Sequence, residues 1–60
     1  MAIHRKALVK HDALEDHSTY DCFHKGQMFA IATGASCKNM IANSDDPKTL
    51  SFRLVAKGAV

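Results

Sequence analysis

Sixty residues, 47% hydrophobic and 23% charged with three Gly and one Pro, describe one folded domain over 1–60 and exclude a disordered chain. The net charge of +2 is a small basic excess for a nucleic-acid footprint, and no stretch approaches the roughly 20 apolar residues that span a bilayer. A chain this short buries only roughly 60% of the surface it exposes when unfolded, which makes a staple, a larger partner or a homo-oligomer an attractive source of stability.

At the N-terminus Ile3, Ala7 and Val9 share one face with Arg5 if the segment is extended. As a helix, Ile3, Ala7 and Leu14 cluster but Val9 falls opposite, so a strand fits better. MAIHRKALVK has no apolar h-region, which predicts a cytoplasmic chain with reduced thiols. Asp12-Ala13-Leu14-Glu15 resembles a capping box and predicts one helical turn.

Residues 19–24 and 27–33 read as a hairpin, with Gly26 supplying positive φ in the tight connection His24-Lys25-Gly26-Gln27. The run QMFAIAT is apolar on both faces, as in a central strand or one covered on both sides. Between Gly34 and Ser44, Cys37, Met40 and Ile41 recur at helical spacing, and Ser36 is the expected N-cap. A phosphate-cradling reading of Thr33-Gly34-Ala35-Ser36 is weaker, because the further glycines and the lysine of a P-loop are missing.

Asp45-Asp46-Pro47 then signals a turn. From Thr49 to Lys57, Leu50, Phe52, Leu54 and Ala56 alternate with Ser51, Arg53, Val55 and Lys57, the period of a half-buried strand. The fold class expected is α+β, a small three- to four-stranded mainly antiparallel sheet with one short helix packed on it.

The chemistry is concentrated in residues 11–24, which hold three of the four histidines, four of the six acids and one of the two cysteines. His11, His17, Cys22 and His24 are candidate zinc ligands, yet their spacing matches no finger or ribbon and neither cysteine lies in a CxxC. No metal or other cofactor is expected. Cys22 and His24 lack the third, orienting group of a nucleophile–base pair, and so small a domain leaves little volume for a water-excluding pocket. The chain is expected not to be an enzyme. Cys22 and Cys37, fifteen positions apart, would gain about 3 kcal/mol from a bridge by chain entropy.

Two binding readings remain. Arg5, Lys6, Lys10, Lys25, Arg53 and Lys57 would contact phosphates if the terminal strands were neighbours. A single-strand binder also needs exposed aromatics; with Phe23, Phe29 and Phe52 assigned to the core, only Tyr20 is left over. The favoured reading is a small binding protein that regulates or inhibits a larger protein. Its contacts are assigned to an edge strand and to Asp12, Glu15, Asp16, His17, Tyr20 and Asp21, with the histidines making the contact pH-dependent. Small standalone inhibitors and adaptors, including those of phages and mobile elements, share this size and composition.

Overall fold

The computed structural model describes residues 8–58. Four strands, β1 (Leu8–Val9), β2 (Thr19–His24), β3 (Gln27–Thr33) and β4 (Leu50–Ala56), form one sheet with spatial order β1-β4-β2-β3. Every pairing is antiparallel. One helix, α1 (Gly34–Asn43), packs over β2 and β3. This is the α+β arrangement expected from the sequence.

Alternation decides which side of each strand is dry. Tyr20 and Cys22 of β2 and Leu50 and Phe52 of β4 are buried, joined by Cys37 of α1 and Leu14. Val9, Ala30, Ala32, Met40, Ile41 and Leu54 pack around them. His11 closes over the β4 half of this layer, edge-on to Phe52 at 5.5 Å between ring centroids, and its Nε2 bonds to the Leu50 carbonyl oxygen at 2.8 Å. The small residues Ala30, Ala32 and Cys22 let the helix approach closely, and Cys22 Sγ lies 3.7 Å from Cys37 Sγ.

The β2–β3 hairpin closes through Lys25 and Gly26, with φ of 51° and 80°. Both central residues thus take the positive φ that a type I′ turn requires. Pro47–Thr49 forms a short 3₁₀ turn before β4, with the Thr49 hydroxyl donating to the Asp46 carbonyl at 2.7 Å.

Four expectations need correction. β3 is an edge strand, not a central or doubly covered one: among the described residues it pairs only with β2, and Met28, Phe29 and Ile31 are exposed. The helix begins at Gly34, capped by Thr33, whose Oγ1 accepts the Ser36 N–H at 3.3 Å, so Ser36 lies inside the first turn. The helical turn before β2 is 3₁₀ and runs His11–Ala13, with Lys10 at its N-cap and no side-chain cap from Asp12. Ala56, assigned to the buried face of β4, is exposed, because the β2–β4 register shifts between Thr19 and Tyr20. Ile3, Arg5 and Ala7 lie outside the described residues.

Gly34 marks the tightest point between layers. A Cβ there would collide with the Glu15 carbonyl oxygen, while the Gly34 N–H donates to the Ser18 carbonyl at 2.9 Å. Glycine to alanine in a helix ordinarily stabilises by up to about 1 kcal/mol; here the clash reverses the sign. Gly34→Ala is expected to lower the melting temperature by about 10 °C, from an overpacking cost of about 1–3 kcal/mol. Calorimetry showing an equal or higher melting temperature contradicts that packing.

Candidate functional site

The segment between the 3₁₀ turn and β2 is pinned rather than loose. The Tyr20 hydroxyl accepts the Glu15 N–H at 2.9 Å, and the Ser18 N–H donates to the Glu15 carbonyl at 3.1 Å. The Ala35 N–H donates to the Asp16 carbonyl at 3.3 Å. With the Gly34 and Ser36 bonds, the first N–H groups of α1 are thus taken up inside the molecule. The Thr33–Ser36 turn is not a phosphate cradle.

Three of the four acids here are paired with cations from distant parts of the chain. Asp16 Oδ1 accepts from Lys38 Nζ at 2.6 Å, and this hydrogen bond and charge hold its carboxyl below the usual carboxylate range. Glu15 Oε1 is 3.7 Å from Lys57 Nζ. Asp21 Oδ2 accepts from Arg53 Nη2 at 2.7 Å and Nε at 3.2 Å. Asp12 has no ionic partner among the described residues. The acid block is therefore largely neutralised.

The six residues assigned to a protein contact divide into three groups. Asp12, Glu15, Asp16 and His17 are exposed on one connected segment. Asp21 sits on the sheet surface away from α1. Tyr20 is 1% exposed, the reverse of its assignment, because it shares the dry phase of β2 with Cys22. The free aromatics are instead Phe29, 53% exposed, and Phe23, half-buried on the surface that α1 leaves open. Both had been assigned to the core. Arg53 lies over the Phe23 ring at 5.1 Å, a cation–π contact that holds the guanidinium against the sheet.

The cations of the nucleic-acid reading do not form a stripe. Lys25 lies in the hairpin turn at one end of the sheet, Lys57 follows β4 at the other, and Arg53 between them is paired with Asp21. Lys10 is exposed beside β1, and Arg5 and Lys6 lie outside the described residues.

The candidate metal ligands are similarly dispersed. His11 is engaged with Leu50, Cys22 is in the core, and His17 and His24 are exposed at opposite ends of β2. Among the described residues no three His, Cys, Asp or Glu side chains gather as a metal site requires. A shallow depression of about 280 Å³ is lined by Glu15, Asp16, His17, Ser18, Lys57 and Gly58. Its buried hydroxyl is committed, since Ser18 Oγ donates to Glu15 Oε1 at 3.2 Å and accepts from the Gly58 N–H at 3.1 Å. No helix among the described residues is long and apolar enough to cross a membrane.

No family model matches the chain, and no curated protein or solved structure matches it either.

Burial, reinforced by Cys22 beside it, pushes the Cys37 thiol up to about 12 from an ordinary 9.0. The unfolded chain then releases that proton near 9.0 while the folded chain keeps it to about 12. The contribution is fully present below pH 9.0 and is lost as pH rises towards 12. Urea midpoints should fall as pH rises past 9.0, and Cys37→Ser should remove part of that slope. A wild-type midpoint that is flat over this range contradicts the assignment.

Proposed function

We propose that the chain is a small non-enzymatic, cytoplasmic binding protein that regulates or inhibits a larger protein by presenting the outer edge of β3 to it. The observation that carries this reading is the edge itself. Gln27–Thr33 is seven residues long, is bonded on one side only among the described residues, and contains neither a charged residue nor proline. Small proteins ordinarily blunt such an edge with lysine, proline or cover. A bulge where β3 pairs with β2, between Cys22 and Phe23, interrupts it only locally. An extended segment of a partner adds to an edge of this kind by backbone hydrogen bonds, with alternate side chains supplying specificity.

The acidic and histidine-bearing segment supports the same contact. Thr19 pairs with Thr33, and Asp16 lies against the start of α1, so Asp16 and His17 flank the Thr33 end of β3. A partner strand running along the edge would pass them.

The test is affinity capture with the full chain and with Phe29→Lys, which places a charge on the exposed edge without touching the core. The lysine should reduce capture of the bound protein about tenfold while circular dichroism is unchanged. Capture of no protein, or equal capture by both chains, overturns the proposal.

A further inference from the structure

The sheet surface opposite α1 carries a row of four residues that is complementary to its own reverse. The registers Leu8↔Arg53, Arg53↔Asp21 and Asp21↔Ile31 place these side chains side by side on β1, β4, β2 and β3. The row is apolar, cation, anion, apolar. Its outer members are the most exposed large hydrophobics described, Leu8 at 60% and Ile31 at 62%. Among the described residues nothing packs above them.

We propose that this surface is the interface of a two-fold dimer, occupied by a second copy of the chain. An axis between the two sheets, parallel to the strands and over the gap between β4 and β2, lays each β4 on its partner's β2. Arg53 then faces the partner's Asp21, and Asp21 the partner's Arg53. Leu8 meets the partner's Ile31 at one margin and Ile31 the partner's Leu8 at the other. Self-complementarity of this kind is what an isologous interface demands. A different partner would have to match both charges and both apolar margins in mirror order, which a second copy does automatically.

The central charges are prepared for the role. Both Arg53 hydrogen bonds land on Asp21 Oδ2, leaving Oδ1 and Nη1 without partners among the described residues. In the dimer two Arg53 and two Asp21 groups close into one alternating cluster, so the ion pair gains a partner as it loses water. The stacked Phe23 ring restrains the guanidinium beforehand and so reduces the ordering cost. The surface is about 15 Å across its four strands and about 20 Å along them. That plan area, about 300 Å² on each copy, belongs with weak and transient contacts, with a dissociation constant of order 100 μM or weaker.

Sedimentation equilibrium of the full chain, taken to about 1 mM, should show the mass rising from 6.6 kDa towards twice that value. Asp21→Arg leaves two cations in the row and Arg53→Asp leaves two anions, so each variant alone should stay monomeric. Mixed in equal amounts, they should dimerise with each other, since each now supplies what the other lacks. Ile31→Asp, at a position 62% exposed, should abolish the wild-type dimer with its circular dichroism unchanged. A wild-type chain that is monomeric throughout overturns the proposal. So does dimerisation that Ile31→Asp leaves intact, or a pair of folded charge variants that do not combine. Asp21 and Arg53 stand on the two inner strands, away from the β3 edge, so the two charge variants should lose self-association yet keep capture of the bound protein, and the two surfaces report separately.

Discussion

One ten-residue helix cannot cover both faces of a four-stranded sheet, and the architecture follows from that limit. The apolar material is spent on a single interlayer contact in which Cys22 and Cys37 meet, with Tyr20, Phe52, Leu14 and Leu50 around them. Short side chains on β3 and at Gly34 bring the layers close, a close fit in an interior with little room for relaxation. Among the described residues the same limit leaves β3 without cover along one edge and a whole sheet surface facing outward. Both candidate interaction surfaces are therefore consequences of how little the helix can cover.

Electrostatics in three dimensions differ from electrostatics along the chain. The first eleven residues carry Arg5, Lys6 and Lys10 and the next ten carry four acids, yet Asp16, Glu15 and Asp21 pair with the distant Lys38, Lys57 and Arg53. Two of these pairs are largely exposed and contribute orientation more than stability. The third, Asp21 with Arg53, is more enclosed, with the carboxylate side chain only 13% exposed. Apolar neighbours beside that pair turn a neutralised charge into a recognisable pattern. A surface can thus carry specificity while its net charge is close to zero.

The strands, the hairpin and the helix were legible in the sequence because periodicity records which side of an element meets water. The alternation of Leu50, Phe52 and Leu54 fixed the phase of β4, and Cys37, Met40 and Ile41 fixed the inner side of α1. Periodicity does not record how many strands lie on either side. That is why the apolar run Gln27–Thr33 read as central when it is an edge.

The aromatic assignments failed for a related reason. Ranking residues by hydrophobicity sent Phe23 and Phe29 inward and Tyr20 outward, whereas burial depends on which face the helix covers. Asp21 interrupts one phase of β2, which marks Tyr20 and Cys22 as its core pair. The dimer row was invisible to sequence alone, since it joins Leu8, Arg53, Asp21 and Ile31 only once the strand registers are known.

The order of strands in space also constrains the order of events in time. β4 lies between β1 and β2, yet it follows both of them in the chain and so leaves the ribosome after them. The hairpin of β2 and β3 can form earlier from local contacts, but both its edges stay open and Tyr20 and Cys22 lack Phe52 beside them. Closing the sheet then requires Leu8 to meet Arg53 across most of the chain, a long-range pairing that slows folding. During that delay the nascent chain exposes two unpaired edges, the condition under which small β-rich proteins aggregate. Its yield in a cell thus depends on how quickly residues 50–56 arrive, not only on how stable the finished fold is.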